Sequence, residues 1–115
     1  SILTTAFADA MRARFLRLRL DVTEAPACPR FHIDAVRARL VCTYRGRGAQ
    51  YGTPQAGGGI DELFELAPFV PAIFKGTGWP GPAPTLLHRS PPCDGTGKMR
   101  LTCVIDAVDD PEEAE

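Results

Sequence analysis

Eleven prolines and eleven glycines, scattered over 115 residues, set the first limit on this chain. Proline removes a backbone donor and glycine weakens a regular element that it interrupts, so the chain is cut into short pieces. Short pieces favour an all-β barrel or sandwich over a helical bundle. One domain is expected at this length, burying roughly two thirds of its unfolded surface, enough for a core without disulfides or a structural metal. The 13 basic and 14 acidic residues leave a net charge of −1, which points to neither nucleic acid nor a membrane surface as a partner. No apolar run approaches a membrane span and no signal peptide is evident. Cys28, Cys42, Cys93 and Cys103 form no CxxC pair. With no secretory context they read as reduced thiols in a cytoplasmic protein. The chain begins at Ser1 without an initiator methionine, as expected of a piece of a longer protein.

Three parts follow from the pattern: a short helix over 1–14, a β domain over 15–108 and an acidic, flexible tail over 109–115. Thr4 or Thr5 can cap the helix, with Ala6, Phe7, Ala10, Met11 and Phe15 along one side. The period then changes to two: Leu16, Leu18 and Leu20 alternate with Arg17 and Arg19, which predicts a half-buried strand with the arginines on its solvated face. Further strands are expected at Arg30 to Ile33, Val36 to Tyr44, Ala49 to Tyr51, Phe69 to Lys75, Thr85 to Ser90 and Met99 to Val108. Ile60 to Leu66 reads as strand or turn, and Gly57-Gly58-Gly59 as a flexible connection without the strand-then-helix setting of a phosphate loop.

The only two histidines stand at His32 and His88. On an extended strand His32 and Asp34 point to one side, so both can grip one cation; on a helix the same spacing would set them about 200° apart. His88, 54 positions further on, would complete a 2-His-1-carboxylate set, which leaves coordination positions open and suits non-haem Fe(II). On the last strand Arg100 and Thr102 share a face. A 2-oxo acid chelating iron needs a fixed cation for its far carboxylate, and arginine's planar fork supplies one.

The order His-x-Asp, distant His, then Arg-x-Thr resembles that of the Fe(II)/2-oxoglutarate oxygenases. That resemblance implies a double-stranded β-helix, a jelly-roll or cupin-like barrel of eight core strands. It also implies His32, Asp34 and His88 as iron ligands, Arg100 with Thr102 as the seat of the 2-oxoglutarate carboxylate, and Tyr44 as an extra donor. A second resemblance covers nearly the whole chain. The runs Cys28-Pro29-Arg30-Phe31-His32-Ile33-Asp34, Leu40-Val41-Cys42-Thr43-Tyr44-Arg45-Gly46, Phe74-Lys75-Gly76 and His88-Arg89-Ser90-Pro91-Pro92 are similar, in order, to a bacterial family of unknown function, DUF1826. That family carries no function to transfer.

Three further residues are candidates for substrate contact. Lys75 reads as an anion anchor or a solvated strand end, Arg89 as a neighbour of His88 facing away from it, and Trp79 as a cover for the barrel mouth or an outward-packed ring. The expected activity is a 2-oxoglutarate-dependent oxygenase acting on an unidentified small molecule or protein. The alternative is a cupin-like metal protein without turnover, zinc included, because Cys28-x-x-x-His32 and His88-x-x-x-x-Cys93 form a rough Cys₂His₂ mirror. If Arg100 and Thr102 face inward, Leu101, Cys103 and Ile105 face outward, too apolar a row to leave in water. A homodimer, or cover from residues preceding Ser1, is therefore expected.

Overall fold

The computed structural model describes residues 2–11, 15–23, 30–92 and 99–108. Helix α1 (Ile2–Met11) is followed by β1 (Phe15–Thr23), β2 (Ala38–Arg45), β3 (Gln50–Gly52), β4 (Phe64–Glu65), β5 (Ala72–Lys75), β6 (Leu87–Arg89) and β7 (Arg100–Val108). They form a four-stranded sheet in the order β1-β7-β2-β5 and a three-stranded sheet in the order β4-β3-β6, and every pairing is antiparallel. The chain changes sheet between β2 and β3, β4 and β5, β5 and β6, and β6 and β7, whereas β3 and β4 are neighbours in the small sheet. Among the described residues the two sheets do not close into a barrel.

β7 is the spine of the large sheet. It pairs along its whole length with β1, from Phe15 opposite Val108 to Thr23 opposite Arg100, and on its other edge with β2. Thr102 to Val108 are all buried, which requires cover on both faces. On one face Leu40, Cys42, Cys103, Ile105 and Ala107 pack under Phe7 of α1, with Leu3, Met11 and Leu16 at the margin. Phe7 is the one buried residue of the helix. Burying such a ring stabilises by about 1.5–3 kcal/mol, and this explains why a ten-residue helix, too short to persist alone, stays docked. On the other face Val41, Ala49 and Phe74 form a smaller cluster.

Several expectations change. The helix stops at Met11. The strand over Arg30 to Ile33 reduces to a bridge between His32 and His88. The strand expected from Phe69 begins only at Ala72: Phe69 takes a left-handed φ of 66°, and Pro71 next to the strand has no N–H to give to a ladder. Strand β1 is covered only in part on either face. Of its apolar row Leu16 packs on the core under α1, while Leu18, Leu20 and Val22 are 54%, 61% and 61% exposed. Arg17, Arg19 and Asp21 lie on the cleft side, with Arg17 reaching Asp106. Of the row Leu101, Cys103 and Ile105, for which outside cover was expected, Cys103 and Ile105 are buried in a cluster with Phe7 of the chain's own helix, and Leu101 is half-buried. No helix among the described residues is long and apolar enough to cross a membrane. The tail over 109–115 lies outside the described residues.

Candidate metal centre

His32 and His88 are held side by side by their backbones. The His32 N–H donates to the His88 carbonyl at 3.0 Å, and the His88 N–H returns to the His32 carbonyl at 3.1 Å. A doubly bonded antiparallel pair of this kind brings the two side chains onto one face, and the imidazole centroids stand 4.6 Å apart. Phe74 of β5 stacks on His88 at 4.3 Å and 13°, fixing the ring plane. Asp34 is braced through its backbone: its carbonyl accepts from the Thr77 N–H at 2.9 Å, and the Gly76 N–H donates to Arg37 at 3.0 Å. Only glycine fits at 76, since a side chain there would collide with the Val36 carbonyl and come within 2.7 Å of the Asp34 carbonyl.

These supports bring the ligating atoms of His32, Asp34 and His88 within 4.8 Å of one another. Asp34 Oδ2 lies 2.8 Å from His88 Nε2, and Asp34 Oδ1 lies 3.2 Å from His32 Nε2. Ligands held about 2.0–2.2 Å from one ion at right angles stand about 3 Å apart, so the spacing fits a shared cation. Two details of the donor set agree. The contact between Asp34 Oδ2 and His88 Nε2 lacks hydrogen-bond geometry, and both buried atoms are left without a hydrogen-bond partner. His32 Nδ1 lies 2.8 Å from the Arg30 carbonyl, which can only accept, so Nδ1 donates there and the ring is oriented with Nε2 toward Asp34 Oδ1.

Asp34 sits at the end of a buried charge network. Arg39 Nη1 donates to Asp34 Oδ1 at 2.8 Å, while its Nε and Nη2 donate to the two oxygens of Asp106 at 2.6 and 3.0 Å. Arg17 reaches the same carboxylate from β1. Arg17, Asp106 and Arg39 are directly opposed across β1, β7 and β2. Burial alone would raise the Asp34 pKa, but contact with His88 and the charges of Arg39 and His32 outweigh it and hold the carboxyl below its ordinary value. Burial also works against ionised Asp106, and its bonds to Arg39 and Arg17 bring its pKa down.

The three residues open onto a cleft of about 290 Å³ lined by both sheets. Arg100 and Thr102 line it too. Arg100 Nε donates to the Arg47 carbonyl at 2.8 Å, and among the described residues no carboxylate pairs with its guanidinium. Burial, and then the like charge of Arg47, lower its pKa, and the charges of Asp21 and Glu65 offset this only in part. Gly46, at φ 88°, makes room for the Arg100 stem, which a Cβ there would meet at 2.8 Å. Thr102 is buried, its hydroxyl 3.4 Å from that of Thr43.

The family model described as Protein of unknown function (DUF1826) matches residues 1–106. The chain is a member of the DUF1826 family. No curated protein and no solved structure matches it. In this DUF1826 chain each of the four runs singled out above contributes a described residue to the centre or its surroundings. Phe74 and Gly76 are its braces, Thr43 backs Thr102, and Gly46 accommodates Arg100.

Other expected site residues are placed elsewhere. Tyr44 packs with the cluster under α1, on the far side of the large sheet from the cleft. Trp79 packs against that same cluster, and Lys75, opposite Ala38 in register, lies over the Trp79 ring at 4.9 Å. None of the three lines the cleft. Arg89 does line it, bonding Gln50 at 2.9 Å and lying over Phe31 at 4.3 Å. Cys28 and Cys93 of the zinc alternative fall outside the described residues, while Cys42 and Cys103 are buried free thiols on the helix side. Sequence reasoning missed Arg39 and Asp106. Each is a charged residue inside an otherwise apolar strand, and that was the available signal.

Proposed function

We propose that this chain binds Fe(II) through His32, Asp34 and His88 and seats 2-oxoglutarate in the same cleft, as an oxygenase of an unidentified substrate does. The observation that carries the proposal is the convergence of the ligating atoms of His32, Asp34 and His88 within 4.8 Å of one another on a cleft that Arg100 also lines. His32 and His88 offer imidazole nitrogens and Asp34 a carboxylate, the donor set that leaves positions open on non-haem iron. Iron bound there would supply the redox chemistry with oxygen and the 2-oxo acid. The chain's own part is to orient and to exclude water. Arg100 can donate two parallel hydrogen bonds to the far carboxylate, with Thr102 as an added donor.

The strand order supports the same reading. Counting the bridged His32 segment as a strand beside β6, the small sheet becomes β4-β3-β6-His32 segment. Eight strands then fall into two four-stranded sheets, with β3 and β4 the one consecutive pair sharing a sheet, in the manner of a jelly roll. A second reading, a cupin-like metal protein without oxygenase turnover, zinc included, is favoured by the donor set itself, because two histidines and a carboxylate also hold zinc.

Anaerobic titration with Fe(II), followed by calorimetry of 2-oxoglutarate into the loaded protein, separates the two. One Fe(II) per chain, and 2-oxoglutarate binding that requires it, are expected. Absence of metal binding would sink both readings, and metal binding without 2-oxoglutarate binding would leave the second.

A further inference from the structure

The two oxygens of Asp34 are not equivalent, and the difference bears on how open a bound ion would be. Each oxygen faces one histidine, Oδ1 at 3.2 Å from His32 Nε2 and Oδ2 at 2.8 Å from His88 Nε2, but only Oδ1 also accepts from Arg39 Nη1, at 2.8 Å. A free carboxylate can grip a cation with both oxygens, and each extra oxygen removes a coordination position. Arg39 is in no position to let Asp34 do so. Its Nε and Nη2 are clamped by both oxygens of Asp106, at 2.6 and 3.0 Å, in the planar fork that only guanidinium makes. Asp106 is 1% exposed and is bound again by Arg17, so the fork has no room to swing.

We infer that Arg39, locked by Asp106, is a positioning residue that keeps Asp34 monodentate and so holds three coordination positions open on the ion. This rests on the metal reading above and deepens it. Three open positions are what a bidentate 2-oxo acid and one further ligand require of a six-coordinate ion; a chelating Asp34 would leave two.

Mn(II) is a suitable probe because the waters it carries are counted by solvent-proton relaxation. The wild-type chain is expected to bind one Mn(II) bearing about three waters. The double variant Arg39→Met, Asp106→Leu removes the ion pair as a unit, leaving neither charge of that pair buried alone, a change that buried pairs often tolerate. It is expected to bind Mn(II) still, with the water count reduced by about one third, while circular dichroism reports an unchanged fold. Should that variant fail to fold, Arg39→Lys makes the same test, since a lysine keeps the charge but cannot bond Asp34 and both Asp106 oxygens together. A merely structural role for Arg39 would move the melting temperature but not the water count. Wild type that binds no Mn(II) overturns the metal reading and this inference with it. Wild type and folded variant carrying equal numbers of waters overturn this inference alone.

Discussion

On the helix side of the large sheet, Leu40, Cys42, Cys103 and Ile105 pack dry beneath Phe7. On the cleft side the same two strands oppose Arg39 to Asp106 and Thr43 to Thr102. Alternation alone separates the two faces, yet their energetics differ in kind. The helix face stabilises by removing apolar area from water. The cleft face gains little from its ion pairs, because desolvating the charges offsets most of their attraction, and what it secures is fixed geometry. The helix face should therefore answer mutation in stability, and the cleft face in ligand binding and pH response.

The largest effect is expected at Phe7. Phe7→Ala should cost about 3–5 kcal/mol of stability by leaving a cavity over Ile105, measured by chemical denaturation. The metal affinity of the folded fraction should stay within a factor of two or so; a loss of affinity matching the loss of stability would erase the distinction between the faces. Arg100→Ala should do the converse. Removing a partly buried partner of an anion is expected to weaken 2-oxoglutarate binding by about 2–5 kcal/mol with the metal content of the protein intact. Calorimetry and metal analysis on the same sample check both halves.

Asp106→Asn sharpens the comparison through pH. Asp106 and Asp34 both ionise more readily in the folded chain than as free carboxyls. The unfolded chain therefore takes up protons first as the pH falls. The stability these groups contribute is fully present above about pH 4, the ordinary carboxyl range, and is lost as the pH descends through their folded values. The variant should be less stable than wild type at pH 7, and the gap should narrow by pH 3, as read from urea melts at each pH. A constant gap would mean that Asp106 acts through packing instead of charge. The smallest effect belongs to the exposed row of β1. Leu20→Ser should change stability by no more than about 0.5 kcal/mol. A larger loss in the isolated chain would show that this face is covered after all.

Much of the strand order was legible, because a period of two between proline and glycine breaks depends only on local geometry. Leu16 to Leu20, Val36 to Tyr44 and Met99 to Val108 each contain a strand within a few residues of where alternation puts it. The proximity of His32 to Asp34 follows from the same rule. The weakly patterned stretch Ile60 to Leu66 yielded only the two residues of β4, where no regular period existed to be read.

Alternation divides a strand into two faces without saying which one meets the core. For β1 the apolar row was the natural choice for the inside, yet only Leu16 finds cover there and Leu18, Leu20 and Val22 are exposed. The inward place of Arg17 is decided by Asp106, 89 residues away, and that of Arg39 by the same carboxylate, 67 residues away. Tyr44, Lys75 and Trp79 lie on the helix side for a comparable reason, since the side a residue takes depends on where α1 docks. The sequence by itself determined the short strands, their two-faced pattern and the pairing of His32 with Asp34, because neighbours along the chain impose these. Only the tertiary structure decided which face is wet, which arginine lines the cleft and which oxygen of Asp34 is held by Arg39, because each depends on the folded arrangement of the strands.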